Sequence, residues 1–143
     1  MDQTRREFLK TCALAGAAGA LAYVGIGCSD QSSPAGPKGP QTMTVNLADY
    51  PQLAGTDRAV SLNSTPLSRP ILLTHTTGDT YYALDSRCTH QSCTVAASTP
   101  TLNCPCHGSH FQLDGAVARG PATRALTAFA VTKDGDVLTI QIG

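Results

Sequence analysis

Two short stretches, Cys88-Thr89-His90 and Cys104-Pro105-Cys106-His107-Gly108-Ser109, constrain this 143-residue chain more than anything else in it. Each offers one thiolate and one imidazole to the same metal site. Residues i and i+2 of an extended loop project to the same side about 6.5 Å apart, so Cys88 and His90 can reach two neighbouring metal ions of one small cluster. In the second stretch Pro105 fixes φ near about −65°. Gly108 permits backbone geometry that would strain other residues and lets N–H groups approach the cluster. Each loop can therefore grip both metals.

The mixed donor set separates two readings. Ordinary zinc modules pair Cys with Cys and His with His at short spacings, whereas here each loop mixes the two types and adds a second cysteine, Cys93 or Cys106. A 2Fe-2S cluster bound by two Cys on one iron and two His on the other needs this inventory. Two neutral imidazoles in place of two thiolates remove negative charge, so an added electron is less opposed. Potentials of such centres run from about −150 to +300 mV. A zinc-stabilised extracellular binding module stands as the alternative from another class. His75 in a Thr-rich strand pattern and His110 read as structural, as do the strand residues Tyr81 and Tyr82.

With this double motif the chain resembles, over roughly residues 42 to 143, the disulfide-containing Rieske iron-sulfur proteins, which include Rieske subunits of quinol-oxidising cytochrome bc complexes and the small subunit of arsenite oxidase. The resemblance implies Cys88 and Cys104 on the buried iron and His90 and His107 on the solvent-facing iron of one Rieske-type 2Fe-2S cluster. It implies a Cys93–Cys106 disulfide, which would staple the two ligand loops together. Ser109 would donate its hydroxyl to a bridging sulfide, and Gly120-Pro121-Ala122 would begin a loop covering the cluster from a third side. Three positions depart from the family's pattern. Gln91-Ser92 stand where quinol-oxidising members commonly carry Leu-Gly, Phe111 stands where high-potential members carry a Tyr that donates to a ligand sulfur, and Thr123 stands where a second Pro is common. Losing the tyrosine donor should lower the potential.

The N-terminus carries a second signal. Thr4-Arg5-Arg6-Glu7-Phe8-Leu9-Lys10 has the twin arginines, Phe-Leu and Lys of a twin-arginine export signal, followed by a weakly apolar Ala/Gly-rich stretch from Thr11 to Gly27. That route carries folded, cofactor-loaded proteins, and a disulfide would persist outside the cytosol. Val24-Gly25-Ile26-Gly27-Cys28 resembles a lipoprotein cleavage site, which makes Cys28 a lipidation candidate; the alternative is an uncleaved signal anchor. Either tethers the domain to the extracytoplasmic face of a membrane. Residues 29–41, with Pro34, Pro37 and Pro40 among Gly and Ser, read as a linker spanning on the order of 40 Å if extended.

Residues 1–28 are thus assigned to the signal or anchor, 29–41 to the linker and 42–143 to one domain, with a cluster-binding subdomain at about 85–122. From Ser29 to Gly143, Lys and Arg number seven and Asp and Glu eight. This balance gives no basis for nucleic-acid binding or for an acidic partner. Thr42 to Leu47, Ala59 to Asn63, Pro70 to Thr76, Thr80 to Leu84, Ala125 to Thr132 and Val137 to Ile142 read as strands, with turns at Gly78-Asp79 and Asp134-Gly135 and a helical turn within Leu47 to Leu53. The pattern predicts an all-β domain, and the resemblance implies three layered antiparallel sheets. The expected function is a one-electron carrier with no catalytic site of its own. Its redox partner would be a cytochrome b/c-type protein or, in the runner-up reading, a molybdenum-enzyme subunit as in arsenite oxidase.

Overall fold

The computed structural model describes residue 39 and residues 41–63 and 65–143. The export signal, Cys28 and nearly all of the linker lie outside the described residues. Among the described residues nine strands form the domain: β1 Thr42–Asn46, β2 Arg58–Leu62, β3 Ile71–His75, β4 Tyr81–Asp85, β5 Leu102–Asn103, β6 His110–Phe111, β7 Val117–Arg119, β8 Ala128–Asp134 and β9 Val137–Gln141. All pairings between them are antiparallel. Two short 3-10 turns, Leu47–Asp49 and Pro51–Leu53, follow β1 in the stretch that reads as a helical turn, the first capped by the Asn46 side chain accepting from the Ala48 N–H.

The layers come from one strand that changes neighbour. The start of β8 pairs with β4 (Ala83 with Phe129, Leu84 with Ala128), and the rest of β8 pairs with β9 from Ala130 to Asp134. Sheet β1-β9-β8 is thereby joined to sheet β8-β4-β3-β2 in one six-stranded order. The third sheet, β5-β6-β7, stands apart. The expected strand from Ala125 begins instead at Ala128, because Leu126 turns inward and donates its N–H to Gly115 O.

Strand β3 explains how the fold supports a site. Every residue of Ile71-Leu72-Leu73-Thr74-His75 is buried, because the strand is covered on both faces and alternation sends successive side chains opposite ways. Ile71 and Leu73 join Val45, Val60, Leu62, Leu138 and Ile140 in one apolar core. Leu72 and its partner Leu84 join a second core with Cys88, Val95, Leu102, Cys104, Phe111 and Leu113. Thr74, on the same face as Leu72, donates its hydroxyl to Leu113 O at 2.6 Å. The two Cys/His loops therefore stand on a wall whose other side is the scaffold core.

His75 closes that wall. Its Nδ1 lies 2.7 Å from Leu53 O and 2.9 Å from Gly55 O, its Nε2 lies 2.7 Å from Gly78 O, and its ring stacks on Tyr81 with centroids 4.3 Å apart. All three are backbone carbonyl oxygens, so the ring ties the main chain at Leu53 and Gly55 to that at Gly78. The residue is structural, as its sequence setting suggests.

At the end of β4 the Asp85 carboxylate pairs bidentately with the Arg69 guanidinium and accepts the Arg87 N–H at 2.9 Å. Burial opposes the Asp85 charge, but the bonds from Arg69 and Arg87 outweigh it and hold the carboxyl below its usual range, while the same pair holds Arg69 protonated. A group with a depressed folded-state pKa contributes its stability above its unfolded value of about 3.9 and loses it as pH falls through the folded one. Asp85→Asn is expected to cost about 2 kcal/mol at neutral pH, since it leaves Arg69 without its charge partner. That gap should stay constant above about pH 5 and close below about pH 4. Urea unfolding midpoints of the two proteins across pH 2 to 7 check both the size and the sign.

Candidate metal centre

The two Cys/His stretches fold as near copies of each other. Arg87 and Thr94 form an isolated antiparallel bridge, and Asn103 pairs with His110 at the start of the small sheet. Each pair brackets six residues, Cys88 to Cys93 and Cys104 to Ser109. Within the first loop Cys88 N–H donates to Cys93 O at 2.8 Å and Ser92 N–H to Cys88 O at 2.8 Å; within the second Cys104 N–H donates to Ser109 O at 2.8 Å and Gly108 N–H to Cys104 O at 3.1 Å. The fifth residue of each loop takes a left-handed backbone, φ 59° at Ser92 and φ 73° at Gly108. The loops differ in where the imidazole falls: third in one (His90), fourth in the other (His107).

The disulfide joins the copies. Cys93 and Cys106 are bonded, with Cα atoms 6.5 Å apart and a sequence separation of 13. Closing a loop of this length is worth about 3 kcal/mol in the chain-entropy model, and here it ties the last residue of one loop to the third of the other. Behind it the free cysteines Cys88 and Cys104 are both buried. Burial and then the hydrogen bond to Cys88 push the Cys104 thiol up, against the N–H groups of Cys106 and His107, which point at its sulfur. Those N–H groups are placed to stabilise a thiolate. In front, His90 and His107 are exposed, their rings edge to face with centroids 4.9 Å apart.

The segment after β7 closes the third side. Ala122 N–H donates to the Ser109 hydroxyl oxygen at 3.0 Å, and the Thr89 hydroxyl donates to Arg124 O at 2.6 Å, so this segment is pinned to both loops. Ser109 is fully buried. Because its oxygen already accepts from Ala122, its own hydrogen is free to point elsewhere. Phe111 is also fully buried, opposite Leu102 in β6 and within the apolar cluster that contains Cys88 and Cys104. His110, which carried no expected role, contacts the Thr101 hydroxyl at 3.3 Å.

The positive φ at Ser92 is the feature that sequence reading missed. Its signal lies in the spacing: Ser92 follows Cys88 by four residues, as Gly108 follows Cys104. A left-handed non-glycine residue costs about 1–2 kcal/mol, partly offset in a glycine by the entropy it loses on folding. Ser92→Gly is therefore expected to stabilise the protein by about 0.5–1 kcal/mol, read as a higher urea midpoint with an unchanged m-value.

A family model for the Rieske [2Fe-2S] domain matches residues 45–130. The cytochrome b6-f complex iron-sulfur subunit of Synechococcus sp. (strain JA-3-3Ab) is 46% identical over 57 residues, 38% of this chain and 33% of that subunit. The corresponding subunit of Cyanothece sp. (strain PCC 7425 / ATCC 29141) is 36% identical over 97 residues, 65% of this chain and 51% of that subunit. The chain thus spans between a third and a half of the length of these curated relatives. Among solved structures, the cyanobacterial plasma membrane Rieske protein PetC3 from Synechocystis PCC 6803 superposes with a TM-score of 0.56 at 27% identity, covering 68% of this chain and 95% of that one. A chain of a hyperthermophilic respiratory complex III shares the fold at a TM-score of 0.53 and 21% identity, covering 66% of this chain and 71% of that one. With this domain match, these relatives and a disulfide joining the two Cys/His loops, the chain belongs to the Rieske [2Fe-2S] domain family, in the disulfide-containing type.

Proposed function

We propose that this chain is a one-electron carrier whose Cys88 and Cys104 hold the inner iron, and whose His90 and His107 hold the outer iron, of the Rieske-type 2Fe-2S cluster that goes with its family. The observation that carries the assignment is the burial gradient: two buried thiols behind two exposed imidazoles in contact with each other. The donor set fits. Two sulfurs and two nitrogens match the inventory of such a centre, and the N–H groups aimed at Cys104 favour its ionised form. When bound, the cluster supplies a couple that accepts and returns a single electron. The rest falls to the chain. The apolar cluster around Phe111, Leu102 and Val95 keeps water from the cysteine side, the free hydrogen of Ser109 is available to a sulfide, and the exposed imidazole edge gives a redox mate its shortest approach.

The domain that performs this would be residues 42–143, with the cluster-binding part at about 85–122. The twin-arginine stretch, the Cys28 lipidation site and the linker would place it, tethered, on the extracytoplasmic face of a membrane. The relatives that name a cytochrome b6-f complex support service as the iron-sulfur subunit of a quinol-oxidising complex of cytochrome bc type. Two residues favour the arsenite-oxidase-like reading instead: Gln91 puts an exposed polar side chain beside His90 where a quinone would meet an apolar tip, and Phe111 brings no hydroxyl to the sulfurs.

Iron and acid-labile sulfide in equal amounts, with the EPR signal of the reduced protein, test the assignment; colourless protein containing zinc would end it. Cys104→Ser and His107→Ala should each abolish that signal. Phe111→Tyr should raise the midpoint potential by about 60 mV, the equivalent of one hydrogen bond of about 1.4 kcal/mol to a charged sulfur. An unchanged midpoint in a folded, fully loaded variant would show that the hydroxyl does not reach the sulfur.

A further inference from the structure

Beside the exposed His90 imidazole lies a hollow of about 400 Å³ whose walls include His90 and Ser92 from the first Cys/His loop, Arg87 immediately before it and Arg124 from the covering segment. Both arginines are exposed, and among the described residues neither takes part in an ion pair. The one carboxylate in the lining, Asp85, is already engaged by Arg69 and by the Arg87 N–H. The hollow therefore presents two arginine charges outside any ion pair at the side of His90, of which Arg87 also acts on Asp85 through space.

The rest of the described residues are charged the other way. Residues 85–124 carry three cations, Arg87, Arg119 and Arg124, against Asp85 and Asp114. Outside that span, the described residues hold Asp49, Asp57, Asp79, Asp134 and Asp136 against Arg58, Arg69 and Lys133. Two of those three cations are spent on pairs, Arg69 with Asp85 and Lys133 with Asp79. Charge is thus segregated, positive around the Cys/His loops and negative on the scaffold, among described residues that together hold six cations and seven carboxylates. Such a field orients an approaching molecule even where the net charge attracts nothing.

From this arrangement we infer that the Arg87–Arg124 hollow is a docking point for an acidic redox protein, one whose carboxylates surround its own electron-accepting group. The inference rests on the cluster assignment, since it needs the electron to leave at the His90 edge. The carboxylates of the partner would sit between the two guanidiniums, bringing its redox group against His90 and His107. A basic partner would be repelled from the same face and could approach only the acidic scaffold, too far from the imidazoles for fast transfer.

The test is stopped-flow oxidation of the reduced, cluster-loaded full-length protein by two surrogate partners, an acidic plastocyanin and a basic cytochrome c, over a range of salt. The wild-type rate with plastocyanin should fall as salt rises, and the rate with cytochrome c should rise. Changing both Arg87→Gln and Arg124→Gln should slow the plastocyanin reaction about tenfold at low salt and flatten its salt dependence, with each single change giving part of the loss. Arg58→Gln, the same charge change on β2 outside the hollow, should alter neither. Equal effects of the three substitutions, or rates indifferent to salt with both oxidants, would overturn the docking site. Protein without the visible absorption of the cluster would instead overturn the functional assignment beneath it.

Discussion

The whole site depends on one repeated interaction: a cysteine whose N–H and C=O are both bonded within its own loop. At Cys88 and at Cys104 the backbone donates five residues ahead and accepts from four residues ahead. Each loop is thereby closed without help from side chains, and the left-handed residue at its fifth position is what turns the chain back. Two such self-closed loops could still drift relative to each other. The Cys93–Cys106 bond, the Thr89 hydroxyl on Arg124 O and the Ala122 N–H on Ser109 remove that freedom. Bonds within each loop thus set its shape, and bonds between the loops and the covering segment set how the loops face each other.

Beneath the loops, the double-faced strand β3 lets one sheet serve two cores. Leu72 and Leu84, directly opposite in register, anchor the half that carries the Cys/His loops, while Leu73 and Ala83, one residue along, anchor the scaffold half. A slip of one residue in this pairing would exchange the faces and ruin both cores at once. Asp85, at the end of the same wall, extends the control into the first loop by holding the Arg87 N–H immediately before Cys88.

The scaffold was legible in the sequence because its strands are long enough to show alternation, and because Gly78 and Gly135 mark its two hairpins with positive φ. The Cys/His half was legible by a different route. Its strands β5, β6 and β7 have two or three residues each, too few for a period to emerge. The cysteines and histidines announced the loops instead. The left-handed Ser92 and the shared six-residue closure were marked only by the matched spacing of Ser92 from Cys88 and Gly108 from Cys104, since they follow from hydrogen bonds between residues four and five apart. The late start of β8 was hidden, because the inward turn at Leu126 answers to the distant Gly115 and leaves no mark in the local pattern.

Burial and charge then act together at the exposed edge. The thiols lie at the back, among apolar residues, where the low polarity would penalise an unassisted negative charge; the N–H groups at Cys104 supply part of the compensation locally. The imidazoles lie at the front, where solvent and a partner can answer any change of charge. Arg87 and Arg124 flank that front as exposed charges, so their field acts on an approaching molecule more than on the buried sulfurs behind. Exposed His90 and His107 and a field attractive to carboxylates therefore coincide on one surface.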